Sequence, residues 1–201
     1  MKAIILLGTL KTEEPSNTET LSEFFTQYLQ REGVFCETIK LVSENILPGT
    51  YLNMGDGDAW PQIMQKIQVA NILIFATPIW WSNHSSEIQR VIERLDEIND
   101  QIAQGQESLL ANKAGGIVIT GDSDGAQHII GNISNFFNAL GVTIPPYCTL
   151  SVLDQKQAKG SKATREELVA IYEKTYAETA QTMAKGLADF ARRAVQQRNT
   201  A

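Results

Sequence analysis

Three short stretches carry residue types that bind small charged or planar ligands. The first runs from Gly8 to Thr20 (GTLKTEEPSNTET) and offers the hydroxyls of Thr9, Ser16 and Thr18 and the amide of Asn17 where a helical pattern begins. Free backbone N–H groups and the helix dipole at such a start favour an anion, so a phosphate monoester fits without arginine. The same residues also read as a plain capping box, with Ser16 as N-cap and Glu19 three places on. Glu13 and Glu14 would repel a phosphate and are expected to face solvent. The second stretch, Thr77-Pro78-Ile79-Trp80-Trp81-Ser82-Asn83-His84, places two adjacent indoles after an apolar run. An indole offers a flat apolar face to a planar ring, and backbone groups from Trp81 to Asn83 can bond a heterocycle edge. Tryptophans also cap cores and oligomer interfaces, and that reading stays open. In the third stretch, Thr120 to His128 (TGDSDGAQH), Gly121 and Gly125 let the backbone approach a ring closely beside Thr120 and Asp122. Ser123 or Asp124 here reads equally as the cap of a following helix.

Several chemistries are disfavoured. The first loop has one glycine where a dinucleotide fingerprint needs three, and GK[ST] is missing, so a mononucleotide fits better than a dinucleotide as the tightly held group. The third loop lacks the acid spacing of a calcium loop. His84 and His128 are the only histidines, with no carboxylate or cysteine spaced to complete a metal site, so no metal is expected. Either could donate to a substrate oxygen or sit in a plain surface loop. Cys36 and Cys148 form no metal or redox pair and read as buried, reduced thiols.

Alternating apolar runs and helical stripes position these loops. Ala3–Leu7 reads as a strand buried on both faces, and Val34–Val42, Asn71–Ala76, Ala114–Thr120 and Val142–Val152, the last interrupted by Pro145 and Pro146, read as further strands. Leu21, Phe24, Phe25, Tyr28 and Leu29 mark a helix ended by Gly33. Further helices are expected over Ala59–Val69, from Ile88 to about Gln104, from Ile129 to Leu140 and over Thr164–Gln197. Strand and helix alternate, which implies a parallel sheet wrapped on both faces. The three loops then leave the carboxyl ends of strands and share one rim, where such sheets bind ligands. Residues 43–58 read as a long connection, and the 201 residues as one domain.

The composition, 43% hydrophobic and 20% charged, is that of a soluble globular chain, and the net charge of -6 argues against nucleic acid. No stretch reaches membrane-spanning length and the start is too short for a signal peptide, so the expected location is cytoplasmic, with no membrane partner.

From about Lys2 to Val152 these residues resemble the NADPH-dependent FMN reductase branch of the flavodoxin-like superfamily. Gly8, Thr9, Asn17 and Thr18 match its phosphate loop, and Pro78, Trp80, Trp81, Ser82 and Asn83 match its loop after the third strand. Val91-Ile92-Glu93-Arg94-Leu95-Asp96 matches the next helix, and Gly121, Gly125 and Leu140-Gly141 match the region after the fourth strand. The frequent Ser-Pro-Arg start is missing, and Lys11 is the only base near that loop. The resemblance implies a three-layer α/β/α sandwich with a five-stranded parallel sheet, order 2-1-3-4-5. It implies FMN held by Thr9, Ser16, Asn17, Thr18, Pro78, Ile79, Trp80, Trp81, Ser82, Asn83, Thr120, Gly121, Asp122 and Gly125. NADPH or NADH would be the co-substrate and a quinone, flavin, nitro or azo compound the electron acceptor. The flavin ring does this chemistry, so no side chain is named catalytic. A homodimer or homotetramer is expected, because Trp60, Trp80, Trp81 and the apolar final helix exceed what one small domain needs to bury. Two alternatives remain: an electron-carrier flavodoxin without its own NAD(P)H site, and a flavin-free binding protein that keeps only the fold.

Overall fold

The computed structural model describes residues 1–14 and 16–200. The apolar runs form β1 (Lys2–Leu7), β2 (Phe35–Lys40), β3 (Ile72–Pro78), β4 (Ala114–Gly121) and β5 (Thr149–Leu153), all parallel, in the order β2-β1-β3-β4-β5. Between and after them come α1 (Asn17–Arg31), α2 (Trp60–Val69), α3 (Ser86–Arg94), α4 (Asp96–Ala103), α5 (Ala126–Ala139) and α6 (Arg165–Thr200). The order is the flavodoxin-like one, with its switch point between β1 and β3.

The sheet separates two cores. In β1, Ala3, Ile5 and Leu7 face α1 and α6, where Phe24, Phe25, Tyr172, Met183 and Leu187 are buried. Ile4 and Leu6 face the other layer, with Trp60, Ile63, Val91, Ile98, Ile133 and Phe137. Burial on both faces explains why the strand reads as an unbroken apolar run rather than an alternation. No described helix is long and apolar enough to cross a membrane.

Several elements differ from the sequence expectations. The stripe from Ile88 to Gln104 is two helices broken at Leu95, whose N–H goes to Val91 and Ile92 carbonyls. Leu95 and Ile98 stay buried across the break, so the hydrophobic spacing does not register it. The fifth strand is confined to Thr149–Leu153, because the Pro145-Pro146 stretch carries no ladder donors and Tyr147 turns at φ 63. Neither Ser123 nor Asp124 caps α5; Gly125, at φ 107, is the N-cap. Trp60 is wholly buried, so it is a core residue and adds nothing to an interface. Cys148 is buried but Cys36 only partly so.

The long connection after β2 is held by one ion pair. Arg94 reaches Asp58 at 3.0 and 2.6 Å, and donates to the carbonyls of Tyr51 (2.7 Å) and Leu47 (2.9 Å). Both charged side chains are fully buried. Burial alone would raise the Asp58 carboxyl, but the Arg94 guanidinium and the N–H groups of Met54, Trp60 and Leu47 outweigh it and hold it well below the usual range.

Candidate functional site

The loops that follow β1, β3 and β4 meet on one rim of the sheet. They border a cavity of about 840 Å³, within the ~300–1,000 Å³ span of small-molecule sites. Its lining includes Thr9, Ser16, Asn17, Thr18, Pro78, Ile79, Trp80, Trp81, Thr120, Gly121 and Asp122. Ser82, Asn83 and Gly125 stand off the lining.

At the first loop, Ser16 is extended and its Oγ accepts the Glu19 N–H at 3.1 Å. Glu19 does not return to the cap; its carboxylate accepts from Lys40 at 3.0 Å. The N–H groups of Asn17 and Thr18 belong to the first turn, for which a helix has no carbonyl, so capping and anion binding are compatible here. Thr18 Oγ1 and Thr120 Oγ1 are buried 2.6 Å apart. One donates to the other, leaving one hydroxyl proton for a further acceptor. Thr9 Oγ1 accepts the Lys11 N–H at 3.2 Å, and Glu13 and Glu14 are exposed.

The aromatic loop is a two-residue turn. Trp80 and Asn83 exchange both backbone hydrogen bonds at 2.8 Å, with Trp81 (φ 49) and Ser82 (φ 63) between them. Positive φ at both central positions is the geometry Asn and Gly usually supply, and a tryptophan there is strained. Asn83 Nδ2 donates to the Trp81 carbonyl at 3.0 Å, closing the turn. Gly125 supports it from behind, since a Cβ there would lie 2.9 Å from Ser82 Cα. Asn83 and Gly125 therefore shape the turn rather than line the cavity. Trp81 is 94% exposed and Trp80 41%, so neither indole fills the core. His84 is buried and its Nε2 has no partner among the described residues, while His128 is exposed on α5; neither lines the cavity.

A further wall comes from Lys156 to Ser161 and Ala163, which sequence reasoning did not single out. Its anchor is Gln157. Gln157 Nε2 donates to the carbonyls of Gly121 (3.0 Å) and Val152 (2.9 Å), and its Oε1 accepts from Tyr172 Oη at 3.0 Å. Its carbonyl accepts from Asn17 Nδ2 at 3.1 Å. One buried residue thus joins the β4 end, β5, α6 and the α1 N-terminus. Burial first, then the nearby Asp154 and Tyr176, pushes the Tyr172 hydroxyl up, so it stays a donor. The sequence signal was the lysine-rich Gly-Ser run KQAKGSK straight after the last strand.

Residues 1–156 match the family model of the NADPH-dependent FMN reductases. The chain belongs to that family. The match ends within the fourth wall, so Gln157 and α6 lie beyond it. The chain is 32% identical over 151 residues to the divalent metal cation transporter MntH of Mycobacterium bovis, covering 73% of this chain and 22% of that protein. It is 28% identical over 156 residues to 8-demethyl-8-aminoriboflavin-5'-phosphate synthase of Streptomyces davaonensis, covering 73% of this chain and 61% of that one. The matched region therefore spans less than two thirds of either relative. Among solved structures, RosB with bound 8-demethyl-8-formylriboflavin-5'-phosphate superposes with a TM-score of 0.81 at 24% identity, over 98% of this chain and 81% of that one.

Proposed function

We propose that this chain is an FMN-dependent oxidoreductase that takes electrons from NADPH or NADH and passes them to a small acceptor such as a quinone, a flavin or a nitro or azo compound. The observation that carries the reading is the cavity at the sheet's switch point, bordered by a helix N-terminus at Asn17 and by Trp80 and Trp81. The donor set fits a flavin phosphate: neutral hydroxyls and amides with a helix start for the anion, and apolar and aromatic side chains for a ring. When bound, FMN supplies hydride acceptance and delivery through its isoalloxazine ring. The chain's own residues bind and orient. Thr18 and Thr120 present one spare hydroxyl proton, and Ile79, Trp80 and Trp81 offer apolar and aromatic surface on the same lining.

The test is a visible spectrum of the purified protein followed by an assay of NADPH and NADH oxidation with a quinone. Flavin bands and turnover support the reading. Bands without turnover support an electron carrier, and no bands after FMN addition support a flavin-free binding protein. The names of the synthase and of the RosB complex favour one second reading, in which a riboflavin 5'-phosphate is the substrate and is altered at ring position 8. Mass spectrometry of the extracted flavin separates the two: unmodified FMN after turnover supports the reductase.

A further inference from the structure

The cavity carries a charge opposite to that of the chain. The sequence has 23 acidic and 17 basic residues, a net charge of -6, yet the cavity lining holds Lys11, Lys156 and Lys159 against Asp122 alone. Lys11 shares its charge with the exposed carboxylate of Glu14 at 3.3 Å. Among the described residues no ion pair takes Lys156 or Lys159. Both are exposed. Their backbone is nonetheless held in place, because Gln157 between them is tied at four points and its carbonyl accepts from Asn17 at 3.1 Å. The two ammonium groups thus ride on flexible stems from positions one and two residues away from Gln157, which touches the α1 N-terminus.

We infer that Lys156 and Lys159 supply the positive charge for a phosphate monoester in this cavity, and that they make it select a flavin phosphate over uncharged riboflavin. The inference rests on the flavin reading above. A phosphate monoester carries about -1.5 to -2 charges at neutral pH, and a helix terminus offers only about half a positive charge. Thr9, Ser16, Asn17 and Thr18 are neutral, and Asp122 adds a negative charge to the same lining. The first loop therefore orients a phosphate but does not neutralise it. The lysines after β5 close that deficit from a segment distant in sequence. Ammonium–phosphate hydrogen bonds are charge-assisted and stronger than neutral ones.

The experiment titrates apoprotein with FMN and with riboflavin, followed by flavin fluorescence, for the parent and the Lys156→Gln/Lys159→Gln double variant, at low and at about 0.15 M salt. Both lysines are exposed and unpaired, and a matching thermal melt verifies that the variant folds. The expected result is an FMN Kd raised about tenfold in the variant, unchanged riboflavin binding and a flatter salt dependence for FMN. The Lys156→Arg/Lys159→Arg variant should keep most of the FMN affinity. FMN binding and salt dependence equal to the parent's would overturn the inference, as would equal loss of both flavins. So would a raised KM for NADPH with an unchanged FMN Kd, which would assign the lysines to the nicotinamide co-substrate. A parent protein that binds neither flavin overturns the flavin reading as well. A parent that binds FMN, with the variant indifferent, overturns this inference alone.

Discussion

Gln157→Ala should loosen both the fold and the cavity, and its size can be worked from the bonds it breaks. The substitution removes two neutral donations, to the carbonyls of Gly121 and Val152, and the acceptor of Tyr172 Oη. Gly121 keeps a second donor, the Asp154 N–H at 3.0 Å, so its carbonyl is not orphaned. Tyr172 is fully buried and its hydroxyl is left unpaired. An orphaned buried hydroxyl costs about 1–3 kcal/mol and each lost neutral bond about 1 kcal/mol, so the total is about 2–4 kcal/mol after water partly fills the gap. With a urea m-value of ~2 kcal/mol/M, the unfolding midpoint should fall by about 1–2 M. The assay is a double-mutant cycle with Tyr172→Phe, followed by urea denaturation. Removing the tyrosine hydroxyl from the Gln157→Ala protein should cost almost nothing, giving a coupling of about 1–2 kcal/mol. Additive effects, or a midpoint within about 0.3 M of the parent, would show that Gln157 does not hold the wall.

Arg94→Met should cost about 3–5 kcal/mol in urea unfolding, because it strands the Asp58 carboxylate with both groups fully buried. The folded Asp58 value is depressed, so the pair's contribution is complete above the unfolded value near 4 and is lost as pH falls through the folded value. The acid limb of the stability curve should therefore be steeper in the parent than in Arg94→Met, and equal limbs would contradict this. Trp80→Ala or Trp81→Ala should weaken FMN binding by roughly threefold to tenfold and relieve flavin fluorescence quenching. If both variants bind and quench like the parent, the indoles do not meet the flavin. Light scattering at micromolar concentration should show a homodimer or homotetramer, since Trp81 stands 94% exposed. A clean monomer would send that side chain to a different task.

The layer architecture was legible in the sequence because burial on both faces forces an unbroken apolar run. Ala3–Leu7 and Ala114–Thr120 announce themselves that way, and Leu21, Phe24, Phe25, Tyr28 and Leu29 mark the α1 face by spacing alone. The three loops were legible because glycine, proline, hydroxyl and indole residues stand where those runs end. What only the tertiary structure decided rests on partners far apart in the chain. Asn17 and Gln157 meet across 140 positions, and Arg94 reaches back 36 to Asp58, leaving no local periodicity to read. The break at Leu95 was hidden for the converse reason: Val91, Leu95 and Ile98 all remain buried, so the hydrophobic spacing survives a change in backbone hydrogen bonding. The left-handed turn at Trp81 and Ser82 runs against local preference and persists because Asn83 closes it and Gly125 leaves room behind it. The sequence alone thus determined the five strands and the three loops that gather on one rim. The folded chain decided which of their atoms remain free, because each hydrogen bond between distant segments removes a donor or acceptor that the linear pattern still counts as available.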